Sequence, residues 1–345
     1  MKKCDHMQGK VLLIVIVILL LVSIPSPCLR ADVRNDCIDC SRIENDDERL
    51  KCYDTITHQL SGPLSSAATQ SGETSESDFD YQSYLSKLWE LDEDKPRNEY
   101  ALMVHRSNYI VPFSYNYSPN RQPFQADSTG EEIERTEVMF QLSLKVKLWQ
   151  DILGKDVDLW FGYTQRSFWQ LYDFADSSPF RETNYEPEFL LNFRTHYNVL
   201  GMDVRMITLG LNHQSNGRSE PYSRSWNRIV GNLGLERGNT SLLVKTWYRI
   251  PESDDKDTNS DIYDYMGYGE LWGYHLWHGH RFSVMLRNNL DFSENRGAVQ
   301  LEWSIPISEK VGFFIQYFNG YGENLLDYYD NSDRISLGLN LINWN

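Results

Sequence analysis

The sequence predicts an all-β fold: a twelve-stranded antiparallel transmembrane β-barrel preceded by a short N-terminal Cys-containing segment. Three observations point there. From about Tyr100 onward, segments of about ten residues alternate apolar and polar side chains between turns, the period-two signature of a membrane strand. Aromatic residues make up 13% of the chain, with 21 Tyr and 10 Trp, enough to supply girdles at both bilayer interfaces. The one long apolar run, Val11 to Ile24, falls short of the ~20 residues that a spanning helix needs.

That run follows Lys2, Lys3 and Lys10 and ends at Pro25 and Pro27, with the small residue Ala31 beyond. A basic region, a short apolar core and a small residue describe a secretory signal peptide, expected over residues 1–31. Cys28 follows Pro27, which speaks against a lipoprotein cleavage site. Export permits disulfides, and Cys37, Cys40 and Cys52 lie beyond Ala31. A Cys40–Cys52 bridge is favoured. A straight helix would hold the two apart by ~18 Å, whereas a disulfide needs Cα atoms within ~7 Å. The segment must turn back, and Asn45-Asp46-Asp47 is the candidate turn. Residues 32–59 form this small periplasmic segment. A linker is expected at 60–95, where 60–80 is rich in Ser, Thr and Gly.

The barrel domain is expected over 96–345. Its clearest strand sets Phe140, Leu142, Leu144, Val146 and Leu148 against Gln141, Ser143, Lys145 and Lys147, so the second face is wet. A turn over Gln150–Asp156 leads to Val157, Leu159, Phe161 and Tyr163. The same alternation carries Phe189, Leu191, Phe193 and Tyr197, then Leu242, Val244 and Tyr248. It returns in Phe282, Val284, Leu286, Leu290 and Phe292, in Val311 to Tyr317, and in Ile335 to Leu341. A count of about twelve strands is even, as bacterial barrels require.

A net charge of -16 excludes a nucleic-acid partner, because phosphate contacts need clustered Lys and Arg. Divalent cations are natural counterions for so acidic a chain.

Chemistry concentrates in the stretch from Asn212 to Arg228. His213 and Ser215 are two positions apart, which on a strand places both side chains on one face. A serine hydroxyl becomes a nucleophile when a neighbouring base takes its proton and a third group orients that base. Counting back from His213 gives Leu211, Leu209 and Ile207, and counting forward from Asn227 gives Ile229 and Leu233. The polar candidates are therefore in phase with lipid-facing side chains. They lie at strand ends, where a polar group facing outward costs least. A hydrolytic set on the outside of a barrel at headgroup level can meet only lipid. His-x-Ser alone is a common spacing and Asn-Gly an ordinary turn. The in-phase asparagine is what singles this stretch out. A passive porin would explain the barrel but not the outward His, Ser and Asn. An anchor presenting residues 32–59 would explain the extra segment alone.

The stretches NHQSNGRS at 212–219 and PYSRSWNR at 221–228 resemble the active-site region of the outer-membrane phospholipase A family. The likeness extends over about residues 95–345, through SSPFRETNYEP at 177–187, KTWY at 245–248, YMGY at 265–268 and NGYGENLLDYY at 319–329. The resemblance implies a barrel of the bacterial outer membrane that hydrolyses phospholipid and lysophospholipid acyl esters. It implies Ser215 as nucleophile, His213 as base and Asn227 as the orienting residue. It also implies dependence on Ca2+ and activity as a homodimer. The catalytic calcium would be held by the Arg218 carbonyl, Ser223 and Ser177 of the partner subunit, and the ion and the Gly217 amide would stabilise the oxyanion. Three departures stand out. Glu220 occupies a position where the family has Asp, in a second calcium site that also involves Asp255. The segment 32–80 is long for the family, and the chain ends in Trp344-Asn345 rather than a terminal aromatic.

Overall fold

A computed structural model describes residues 40, 45, 49–52, 84–92, 99–121, 133–154, 156–174, 178–253 and 257–341. Of these, Cys40 to Cys52 belong to one unit and the residues from Tyr84 onward to another. In the first unit Cys40 and Cys52 form a disulfide with Cα atoms 5.6 Å apart. The Arg49 amide donates to the Asn45 carbonyl at 2.9 Å, and Asp46 and Asp47 of the expected turn lie outside the described residues. Cys37 lies outside the described residues.

The second unit is an antiparallel sheet rolled into a barrel. Its strands are β1 (Leu102–Val104), β2 (Tyr109–Asn116), β3 (Thr136–Trp149), β4 (Val157–Trp169), β5 (Phe180–Val199) and β6 (Met202–Ser215). They continue as β7 (Ser225–Arg237), β8 (Thr240–Arg249), β9 (Gly269–Trp277), β10 (His280–Asn288), β11 (Gly297–Pro306), β12 (Val311–Gly320) and β13 (Ser332–Leu341). From β2 onward each pairs with its neighbour in sequence. β13 pairs back onto β2, and the β3–β4 pairing completes the ring. β1 and β2 run along the same edge of β3, so thirteen segments make twelve staves. Between β1 and β2 the ladder is carried by a side chain. Asn108 Oδ1 accepts from the Ser143 amide at 2.6 Å, and its Nδ2 donates to the Ser143 carbonyl at 2.9 Å.

Short turns at 150–156, 200–201, 238–239, 278–279 and 307–310 gather at one end, and longer loops such as 216–224 and 250–268 at the other. In bacterial barrels the short turns are periplasmic and the long loops external.

The inward face is polar but filled. Lys147, expected on a wet face, is fully buried between Glu90 at 2.6 Å and Asp158 at 3.6 Å. Lys145 Nζ lies 3.4 Å from the centre of the Trp89 ring. Arg334 donates to Glu137 and to Glu323, both at 2.7 Å, and Arg181 pairs with Glu137 at 2.9 Å and with Asp327. Ion pairs and aromatic rings thus meet the lysines of the strand's second face. Part of that filling comes from the stretch expected as linker. Residues Tyr84–Trp89 form a short helix, α1, against the inward faces of the strands. Its Leu85 and Ser86 amides donate to Glu236 Oε1 at 2.9 and 3.1 Å. A helix this short owes its stability to packing rather than to propensity. Leu85 and Trp89 provide that packing, among Trp160, Met206 and Trp247.

One strand is shorter than its alternation suggested. β10 ends at Asn288, and Phe292 is 98% exposed in the loop beyond. There Asn289 Oδ1 accepts from the amides of Asp291 and Arg296, both at 3.1 Å, and this side-chain turn ends the ladder.

The barrel's interior yields a first prediction. Replacing Arg334 by Leu leaves Glu323 buried without its cation, while Glu137 keeps Arg181, at a cost of about 3–5 kcal/mol. Urea unfolding of vesicle-inserted protein should show a loss in that range. A loss under about 1 kcal/mol would mean that the lumenal pairs do not hold the barrel.

Candidate active site

Strands β6 and β7 are paired with His213 directly opposite Asn227 and Ser215 opposite Ser225. Directly opposed side chains on a sheet face lie close enough to interact. His213 Nδ1 is 2.8 Å from Asn227 Oδ1. The same amide donates from Nδ2 to Glu252 Oε1 at 3.1 Å. With Oδ1 facing the ring and able only to accept, Nδ1 carries the proton and Nε2 holds its lone pair. Ser215 stands two positions further along the same face as His213.

That face is the outer one. Leu211, in phase with His213, is 57% exposed, while Trp226 and Arg228, flanking Asn227, are buried inward. His213, Ser215 and Asn227 are each half-buried at the long-loop end of the barrel. The lipid-facing register read from the sequence is therefore the register of the fold.

The residues between them lock the two strands from inside. Asn212 Nδ2 donates to Glu186 Oε1 at 2.8 Å, and Arg228 Nε donates to Asn212 Oδ1 at 2.9 Å. Gln214 Oε1 accepts from Trp226 Nε1 at 2.8 Å and from Arg228 at 3.2 Å. The Arg228 guanidinium also sits 4.0 Å from the centre of the Trp226 ring. Charged and neutral partners inside thus fix the backbone that carries the outward groups.

The loop after Ser215 is organised by Asn216. Its Oδ1 accepts from the amides of Arg224 at 3.0 Å and Arg218 at 3.3 Å, and its Nδ2 donates to the Tyr222 carbonyl at 2.8 Å. Gly217 has φ +65°, and a Cβ there would lie 3.2 Å from the Tyr185 ring. The positive φ favours glycine, and a side chain there would press on the ring. The Arg218 side chain is drawn to β5, donating to Glu182 at 3.1 Å and to the Arg181 carbonyl.

Among the expected calcium ligands, Arg218, Glu220 and Ser223 lie on this one loop, with Glu220 exposed. Ser177 and Asp255 lie outside the described residues. Among the described residues there is no cluster of three or more His, Cys, Asp or Glu that could hold a metal. A backbone carbonyl and a serine hydroxyl are nonetheless hard oxygen donors of the kind calcium takes, with water completing the shell. The donor chemistry present fits that ion. Sequence reading missed Glu252, Asn216 and the inward Glu186–Arg228 pair. Glu252 carries no local motif and reaches Asn227 only through the loop beyond β8.

The phospholipase A1 family model matches residues 85–341. Phospholipase A1 of Escherichia coli (strain K12) is 40% identical over 245 residues, covering 71% of this chain and 82% of that protein. The structure of outer membrane phospholipase A from Escherichia coli superposes with a TM-score of 0.66 at 39% identity, covering 72% of this chain and 94% of its own. The Salmonella typhi outer membrane phospholipase, crystallised as a dimer with bound calcium, superposes with a TM-score of 0.67 at 38% identity over the same shares.

Proposed function

The chain belongs to the phospholipase A1 family and is an acyl-ester hydrolase of the outer membrane, and we propose that it works through a Ser215–His213–Asn227 set facing the lipid. The observation that carries this reading is the His213–Asn227 hydrogen bond on the outer surface of the barrel. It selects the tautomer in which Nε2 is free to accept a proton. His213 Nε2 takes the Ser215 hydroxyl proton as Oγ attacks the ester carbonyl carbon of a phospholipid or lysophospholipid acyl chain. His213 then returns that proton to the departing glycerol oxygen, leaving the acyl group on Ser215. A water deprotonated by His213 attacks the acyl carbonyl, the fatty acid leaves, and Ser215 regains its proton. The Gly217 amide, in a loop held by Asn216, donates toward the oxyanion.

Arg218, through its carbonyl, and Ser223 would hold a calcium ion beside this set, with Ser177 of the partner subunit completing the site. Glu220 and Asp255 would contribute to a second site. When bound, the ion supplies positive charge where negative charge develops on the carbonyl oxygen. Because Ser215 lies on a bilayer-facing surface, access to lipid cannot be the safeguard against self-digestion. A calcium site shared between two copies supplies one, since barrels held apart in well-packed lipid lack part of it. The active form is then a homodimer.

Ser215→Ala should abolish hydrolysis while leaving a heat-modifiable folded barrel. His213→Ala should lose ~10²–10⁴-fold, and Asn227→Ala less, since an orienting hydrogen bond contributes about 0.5–1.5 kcal/mol net. Steady-state assays on detergent-refolded protein decide this, and equal losses at His213 and Asn227 would contradict the assigned roles. A second expectation concerns calcium and assembly. Chelation should remove activity, and specific activity should rise with the surface density of protein in vesicles. Full activity from barrels shown to be monomeric at saturating calcium would rule out the shared site.

A further inference from the structure

We infer that Glu252 is a positioning residue for this catalytic set, one that fixes the Asn227 amide with its oxygen toward His213. The inference rests on the catalytic reading above and adds a residue to it. Asn227 Nδ2 donates to Glu252 Oε1 at 3.1 Å while Asn227 Oδ1 takes the His213 Nδ1 hydrogen bond at 2.8 Å. The segment bearing Glu252 is pinned to the same residue, because the Ile250 amide donates to the Asn227 carbonyl at 2.8 Å. Glu252 is half-buried, and no cation among the described residues pairs with it.

The physical need for such a residue lies in the amide itself. The two ends of a carboxamide have nearly the same shape and differ only in donating or accepting. Turned over, Asn227 would present its NH2 to the imidazole. Nδ1 would then accept, the proton would move to Nε2, and Nε2 could no longer take the serine proton. A triad carboxylate has no such wrong orientation, since both its ends are oxygens. A carboxylate on the far side of the amide removes the ambiguity, because it can only accept and so is satisfied only by Nδ2. Glu252 also places negative charge behind a neutral orienting group. That charge polarises the amide toward the imidazolium that forms during the reaction.

The test is kinetic, on full-length refolded protein with a dispersed phospholipid substrate at saturating calcium. Glu252→Ala should lower kcat about tenfold, which corresponds to roughly 1.4 kcal/mol, with KM and calcium half-saturation unchanged. Glu252→Gln keeps an acceptor and should recover to within about threefold of the parent. In an Asn227→Ala background, Glu252→Ala should add no further loss. In an Asn227→Asp background its effect should change sign, because two facing carboxylates repel and no amide remains to be oriented. Equal losses from Glu252→Ala in the parent and the Asn227→Asp backgrounds would show a merely structural role and overturn the inference. A shift in calcium half-saturation with kcat retained would make Glu252 an ion ligand and overturn it too. Should His213→Ala remain active, the catalytic reading itself fails. Should His213→Ala be inactive and Glu252→Ala unchanged, only the present inference does.

Discussion

Hydrocarbon offers no water to an unpaired amide, and each backbone group left without a partner there costs several kcal/mol. A sheet can cross a bilayer only if it has no edge, so the pairing of β13 with β2 is the constraint from which the rest of this structure follows. Its reach is visible between β1 and β2, where the regular ladder breaks. Asn108 there offers its carboxamide to both the amide and the carbonyl of Ser143, standing in for a peptide group. Closure also divides the side chains of every strand into two populations. Those outside meet acyl chains, and those inside pair largely with one another.

The inward population solves its problem with charge. Arg334, Arg181, Glu137, Glu323 and Asp327 form one cluster, and Arg228, Glu186 and Asn212 another, beneath β6 and β7. Paired charges inside are worth little against an apolar core but become costly to break one at a time. They act as a rigid support. The catalytic candidates benefit because Asn212, Gln214 and Arg228 alternate with His213, Ser215 and Asn227. Every outward group of the site is bracketed by an inward one held by hydrogen bonds. Rigidity matters at a surface whose outer side is fluid lipid, where neighbouring acyl chains cannot hold an imidazole in place. In this respect the lumen takes the part that a protein core takes in a soluble hydrolase.

The proposed placement of the hydrolytic groups on the outer side would solve delivery of substrate and create a hazard, since substrate is always present. Control must then act on the chemistry and not on access. The β6–β7 loop that carries Gly217, Arg218 and Ser223 is organised around Asn216. Under the proposed shared calcium site, a barrel standing alone would lack one ligand of that loop's ion. The use of asparagine rather than aspartate fits the same location, because a neutral orienting group costs less than a carboxylate at the edge of hydrocarbon. Glu252 stands on the loop side of that amide, away from the strand.

Much of this was legible in the sequence because strand periodicity is local. Alternation at period two fixes which residues share a face, and so it places Leu211 and His213 together on the outside. The pairing of Cys40 with Cys52 was likewise legible from their spacing. What alternation cannot tell is where a strand stops when apolar residues continue past its end, as Leu290 and Phe292 do in a loop turned by Asn289. Nor can it tell what fills a polar interior. Lys145 and Lys147 read as facing water, and only the closed barrel brings Trp89, Glu90 and Asp158 to them. Glu252 was invisible for the same reason. Its role depends on a loop returning to Asn227 across 25 positions, a contact set by closure of the sheet and by no pattern among neighbours in sequence.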